Sequence, residues 1–310
     1  MPPSSIAGEA AALTAALCWA IGSHLFGRIG RRGDVPAASM NLGKCLTAMA
    51  LFWITGIVIN GRLLPSVPPA KAALLFASGV IGLSLGDGAY FKAILSIGVR
   101  RSLLLLSMAP VFTAVGGALF LDEPLRLRDA AGILAVVVGV IVVVHEQQSP
   151  REGAPAIEAP PKLSLVGLLF ALGAAVGQAA GGLMSRVGMA DGMSALDASL
   201  IRLPGGLFGI VALAVATGGL RNTVQTLRRP RLFATIAGAS VIGTFFGIWL
   251  SQYAISHASS TAVASTLMAM SPVFALPLGY FLNRERITLR AVMGTLSAVV
   301  GLALLTLGRA

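Results

Sequence analysis

The sequence predicts an all-α integral membrane protein of ten transmembrane helices, built as two inverted five-helix repeats, and three observations predict it. Of the 310 residues, 56% are hydrophobic and only 11% charged, which leaves too little polar surface to keep such a chain soluble. Apolar runs of about the 20 residues needed to cross about 30 Å of hydrocarbon fill nearly the whole chain. A block of 36 residues ending at 144 recurs in a block ending at 306. Strands are excluded as spanning elements, because an open sheet leaves unpaired backbone groups in lipid and the runs lack the alternation of barrel strands.

The elements follow in order. Span 1 (6–27) lacks the basic leader and small-residue cleavage site of a secretory signal, so it is expected to be a retained helix. Span 2 (38–59) carries Lys44 and Cys45; Cys18 lies in span 1, and both cysteines read as small packing residues rather than a disulfide or metal site. Span 3 (72–95) carries Asp87 and Tyr90, span 4 (100–120) carries Pro110, and span 5 (128–144) closes a first repeat of 6–144. Residues 145–162, HEQQSPREGAPAIEAPPK, are rich in Pro, Glu and polar residues and read as a flexible linker. The second repeat, 163–308, holds spans at 163–186, 195–218, 231–255, 260–282 and 288–308.

The net charge of +11 sits in short loops rather than on one compact basic surface with interleaved aromatics, so nucleic acid is not an expected partner. Loops 1-2, 3-4, 5-6, 7-8 and 9-10 hold 15 basic residues, and the other side, with both termini, holds six. The positive-inside rule then puts the basic loops in the cytoplasm of a cell (inner or plasma) membrane and both termini outside.

Residues 109–144 and 271–306 match at 12 of 36 positions, among them Pro110 with Pro272, Phe112 with Phe274, Glu123 with Glu285, Arg128 with Arg290, Gly132 with Gly294 and Gly139 with Gly301. Gly82, Gly86 and Ala93 align with Gly243, Gly247 and Ala254; Arg28 and Lys44 align with Arg186 and Arg202. A tandem repeat with an odd number of spans per copy must insert its second copy upside down, an arrangement that places a midplane site between the halves of secondary transporters.

The two copies, APVFTAVGGALFLDEPLRLRDAAGILAVVVG and SPVFALPLGYFLNRERITLRAVMGTLSAVVG, each have a proline within the apolar run, an acid near the helix end, then L-x-L-R-x-x-x-G or its near equivalent and a second glycine seven residues on. This pattern resembles the EamA-type repeat of the drug/metabolite transporter superfamily. The resemblance implies a ten-helix carrier of small metabolites, often an exporter of amino acids or related compounds, with no bound cofactor or ATP site. It also implies a central cavity surrounded by helices 1–4 and 6–9, with the last helix of each half in support. The first copy departs from the second by having DEP where the other has RER.

Ionisable residues inside spans are costly and mark functional candidates. Asp87 lies about eight residues from the end of span 3 and Lys44 about six from the start of span 2, so at 1.5 Å per residue both lie at similar depth. They are expected to face each other, as an ion pair or as part of a proton or substrate site; the alternatives are that Lys44 snorkels to the interface and Asp87 bonds a neighbouring helix. Arg202 in span 7 is the repeat mate of Lys44, whereas Asp87 aligns with Ile248 and has no acidic mate. Trp249, Gln252 and Tyr253, spaced i, i+3 and i+4, share one helical face and, with Tyr90 and Gln178, form either a substrate wall or ordinary packing. Pro110 and Pro272 should free the carbonyls of Leu106 and Met268 and act as hinges and cavity walls, or as kinks that serve packing only. Glu123 and Glu285 are expected to anchor helix starts through the dipole. His24 and His257 lie near span ends, where solvated or capping roles outrank metal binding.

The reading is a secondary transporter of a small-molecule substrate in the lipid bilayer, driven by a proton or another ion and working by alternating access. A membrane scaffold or regulatory subunit needs neither paired prolines nor Asp87. An integral-membrane enzyme needs a nucleophile or metal cluster that three scattered histidines do not provide.

Overall fold

The computed structural model describes residues 3–33, 35–61, 63, 65–120, 127–145, 162–189, 193–257, 267–283 and 286–306; among them the regular structure is all helical, with no strand. Helix α1 spans Pro3–Gly33 and α2 Ala37–Asn60. Gly61 ends α2 at φ 64°, donating its N–H to the Ile57 carbonyl at 3.0 Å; this left-handed cap suits a residue without Cβ. Helices α3 (Pro69–Gly79) and α4 (Asp87–Ile97) are halves of one rod, joined by a π-helical stretch at Val80–Gly86. Gly98, at φ 86°, turns the chain directly into α5 (Val99–Leu106), and α6 covers Ala109–Phe120 and α7 Leu127–Val144.

The second half begins with α8 (Leu165–Gly188) and α9 (Ala195–Ala216), capped by Ser164 and Ser194, whose hydroxyls accept from Gly167 and Asp197 N–H groups. Then come α10 (Leu220–Leu227), α11 (Pro230–Ser240), a second π-helical stretch (Val241–Phe246), α12 (Gly247–His257), α13 (Ser271–Asn283) and α14 (Leu289–Thr306). Among the described residues, seven helical stretches are long and apolar enough to cross a membrane, starting at residues 6, 37, 69, 99, 165, 196 and 230; Ser271–Leu282 and Leu289–Leu304 are shorter apolar helices.

Three local features differ from the sequence expectation. The apolar run at 100–120 is broken by a turn at Ser107–Met108, and Pro110 is the second residue of the new helix rather than a mid-helix kink. Pro272 holds the same place in α13, after a turn at Ala269–Met270. Proline has no N–H to contribute to a helix interior but suits the first turn, where donors lack partners anyway, so the chain restarts its helix around each proline. The basic loop after α9 contains the short helix α10, whose Thr223 and Thr226 are buried and whose Thr223 carbonyl accepts from the Ser39 hydroxyl at 3.5 Å. Finally, the π stretches have no one-dimensional signature that hydropathy would reveal.

The repeat recurs at the level of hydrogen bonds. The π stretches begin at Val80 and Val241, a shift of 161. Met108 N–H donates to Leu105 O and Phe112 N–H to Met108 O; 162 residues on, Met270 donates to Leu267 O and Phe274 to Met270 O.

The repeated glycines have a packing purpose. A Cβ on Gly139 would lie 2.3 Å from the Gly294 carbonyl, and one on Gly301 2.5 Å from that of Gly132. Thus Gly132 meets Gly301 and Gly139 meets Gly294, so α7 and α14 cross in opposite directions with backbones in contact, and Ser297 donates to the Ala135 carbonyl at 2.9 Å between them. Small residues of this kind are what lets helices associate in lipid. Val136, Val140 and Val143 of α7 and Ala298 and Leu302 of α14 join Ile97, Leu104 and Ala171 in one buried cluster.

Gly139→Ala and Gly301→Ala should each cost about 1–3 kcal/mol by overpacking and lower the thermal midpoint of the detergent-solubilised protein. Gly173→Ala, where no atom lies within 4 Å of the added methyl, should leave it unchanged or raised. Equal midpoints for all three would refute the crossing.

Candidate functional site

The site starts from the π stretch before Asp87. Its wide turn sends the Asp87 N–H to the Gly82 carbonyl, five residues back, and to that of Ser84, and lets the Leu83 and Ser84 carbonyls accept from another helix. Asn41 of α2 fills that role, donating through Nδ2 to Leu83 O at 2.9 Å and Ser84 O at 3.3 Å. One turn further along α2, Lys44 forms an ion pair with Asp87. Buried backbone carbonyls at membrane depth need such partners, so one helical face of α2 satisfies both the backbone and the carboxylate.

Helix α8 reaches the other carboxylate oxygen. Gly177 sits so close to Gly86 that a Cβ on it would lie 2.8 Å from the Gly86 Cα. The next residue of each chain segment is Gln178 and Asp87, and Gln178 Nε2 donates to Asp87 Oδ1 at 2.6 Å. Asp87 therefore accepts from Lys44 on Oδ2 and from Gln178 on Oδ1, with the two side chains of the ion pair 8% and 14% exposed. Lys44 Nζ also lies 5.6 Å from the centre of the Phe91 ring, whose face attracts a cation.

The second half approaches in a related way. A Cβ on Gly22 would lie 2.6 Å from the Gly243 Cα in the second π stretch, and Trp19 lies against Gly247. Tyr90 of α4 donates to the Ser23 hydroxyl of α1 at 2.9 Å.

These contacts border a half-open cavity of about 520 Å³, within the usual range for small-ligand sites. Its walls come from α1 (Trp19, Ser23, Phe26), α2 (Lys44), the first π stretch with α4 (Leu83, Asp87, Tyr90, Phe91), α5, Pro110, Gln178 of α8, and Arg202 of α9. They are completed by Thr244, Ile248 and Ser251 of the second π stretch and α12, and by Met268 and Pro272. No lining residue belongs to α7 or α14.

Of the sequence candidates, Lys44, Asp87, Tyr90, Gln178, Arg202, Pro110 and Pro272 all line this one cavity. Trp249 and Tyr253 do not: they are 37% and 40% exposed on the outer surface, where Trp249 meets Phe245 and Tyr253 stacks on His257. The i, i+3, i+4 spacing does set them on one face, but α12 turns the face of Ile248 and Ser251 inward instead. Gln252 lies on α12, its side chain outside the described residues, as are Glu123 and Glu285. His24 differs from its expected place near a span end, being fully buried within α1 with Nε2 3.2 Å from the Ala275 carbonyl. His257 lies exposed at the end of α12, its Nδ1 3.0 Å from the Tyr253 carbonyl. No cluster of His, Cys, Asp or Glu able to hold a metal occurs among the described residues.

Sequence reasoning missed Asn41, Ser23 and Trp19. Asn41 carried a usable signal, since an amide three residues from an in-span lysine shares its face. Ser23 and Trp19 carried none.

Comparison with known proteins adds three findings. The profile of the EamA-like transporter family matches residues 6–145 and again 165–307. An uncharacterised transporter of Archaeoglobus fulgidus is 28% identical over 308 residues, covering 95% of this chain and 96% of its own; the uncharacterised transporter YvbV of Bacillus subtilis is 26% identical over 153 residues, 48% of each chain. A solved crystal structure with 16% identity aligns over 98% of both chains at a TM-score of 0.65, a likeness of fold.

Removing one member of a buried ion pair leaves an uncompensated charge at a cost of about 3–5 kcal/mol. Lys44→Met and Asp87→Leu should each lower the unfolding midpoint in detergent strongly, and the double variant should lose much less than the two combined. Additive losses in this cycle would show that the two residues do not stabilise each other.

Proposed function

Because the chain belongs to the EamA-like transporter family, we propose that this multi-pass membrane transporter is a secondary carrier that exports small organic metabolites, such as amino acids or related compounds, across the cell membrane by alternating access. Ten spans form two inverted repeats, 6–144 and 163–308, with 145–162 as the linker. The basic loops face the cytoplasm and both termini lie outside. The observation that carries the reading is a cavity at membrane depth to which both halves contribute and which the Lys44–Asp87 ion pair lines.

Support for inversion comes from α7 and α14, repeat mates that cross in opposite directions. Alternating access draws support from an asymmetry between the halves. In the first half α2 packs on α4 and is tied to it by Lys44 and Asp87, whereas their repeat mates α9 and α12 are not packed together in this way. A cavity closed by one such contact and open at the other exchanges its exposure when the contacts exchange. The helix breaks before Pro110 and Pro272 supply matched places for that movement, at the cavity wall. Asp87 is the acid through which a proton or another ion couples, being released when Lys44 withdraws.

The test is untargeted profiling of the medium of cells making the protein, against cells making the Asp87→Asn, Pro110→Ala variant at matched membrane abundance. A few related metabolites accumulating outside only with the unaltered protein is the expected result. Identical profiles, together with identical uptake of labelled metabolites, would sink the transport mechanism. A reporter fused to the C-terminus should be accessible from outside the cell, and a cytoplasmic signal would reverse the topology.

A further inference from the structure

The two repeats place a cation at the same position, Lys44 on α2 and Arg202 on α9, and both line the cavity. Lys44 is neutralised by Asp87. The residue in the place of Asp87 beside Arg202 is Ile248; Arg202 is half-buried, its Nε is buried without a hydrogen-bond partner among the described residues, and the acid whose charge acts on it is Asp87, which Lys44 already pairs. Asp87 itself is engaged on both oxygens, by Lys44 and Gln178.

A half-buried cation that shares its one acid with a second cation is left with charge that a further anion would complete. We propose that the missing anion is the substrate's own carboxylate, so that Arg202 is the carboxylate-binding residue of the cavity and the carried solute is a small monocarboxylate with an apolar body. This deepens the transporter reading and rests on it. Two cations and one acid line the cavity, leaving a formal excess of one positive charge, which matches a single carboxylate and not a phosphate dianion. The guanidinium fork binds a carboxylate through two parallel N–H bonds, a geometry an ammonium does not offer. Phe26, Phe91, Leu103 and Leu203 supply apolar lining to the same cavity. With both oxygens of Asp87 occupied, a substrate ammonium has no dedicated acceptor, so amino acids and their deaminated acids share the one feature that Arg202 reads.

The experiment uses the full chain in lipid nanodiscs and titrates 3-phenylpropanoate against 3-phenylpropanamide, and 4-methylpentanoate against 4-methylpentanamide, by calorimetry. Each acid should bind at least about 30-fold tighter than its amide. Arg202→Gln should abolish that preference while leaving the weak affinity for the amides unchanged, and Arg202→Lys should restore part of it. Phenylalanine, titrated beside 3-phenylpropanoate, tells a zwitterionic from a purely anionic solute: tighter binding of phenylalanine names amino acids, and tighter binding of the acid names organic acids. Amides that bind as well as acids, a preference that survives Arg202→Gln, or no binding of either acid would each overturn the assignment. If the variant does not fold, the acid and amide comparison on the unaltered protein decides. Failure of the transport reading looks different: acids then bind through Arg202 while no solute crosses. Export of neutral or cationic solutes alone leaves transport standing and removes the carboxylate.

Discussion

Helices already in lipid gain nothing further from burying apolar surface against one another, so their association depends on direct backbone contact and on pairing the polar groups they cannot leave exposed. In this chain that constraint is met at glycines. Gly22 against Gly243, Gly177 against Gly86, and the two crossings of α7 with α14 bring main chains to distances that a single methyl group would prevent. The cavity depends on these contacts. Gln178 reaches Asp87 because Gly177 and Gly86, one residue earlier in each segment, let the helices touch.

The same contacts explain why polar backbone is tolerated in the interior. A π stretch gives up regular α-helical pairing, and such stretches gather where a helix must present atoms to something else. Here Asn41 donates to the carbonyls of Leu83 and Ser84, the second of them shared with the Asp87 N–H, while the residue that follows the stretch is the half-buried acid. The wide turn thus exposes carbonyls to α2 and delivers Asp87 to the lysine on that helix. The second π stretch lies at the same register in its half and supplies Gly243 and Thr244 to the opposite wall.

Two copies of one plan need not carry the same chemistry. Backbone features recur closely, down to matched hydrogen bonds at the breaks before Pro110 and Pro272. The charges do not recur: Lys44 forms its ion pair with Asp87, and the repeat mate of that acid is the apolar Ile248. Packing geometry is preserved because both halves must meet each other across the same surfaces, and departures from it are penalised in both copies at once. The cavity is free of that constraint, since its two walls touch the enclosed space rather than each other.

The sequence by itself determined that the chain is helical and membrane-spanning, that it is a repeat, and that Lys44, Asp87 and Arg202 are exceptional, because hydropathy, periodicity and the cost of charge in lipid are properties of local composition. It also indicated that Lys44 and Asp87 lie at equal depth, since depth follows from residue count along a helix of fixed rise. Only the tertiary structure decided which way each helix is turned. Rotation about the axis is set by contacts with helices far away in sequence, which is why Trp249 and Tyr253 point outward while Ile248 and Ser251 line the cavity. The breaks at Ser107–Met108 and Ala269–Met270, the π stretches, and the closure of α2 on α4 likewise belong to packing: each exchanges local hydrogen bonding for contacts that exist only once the helices are assembled.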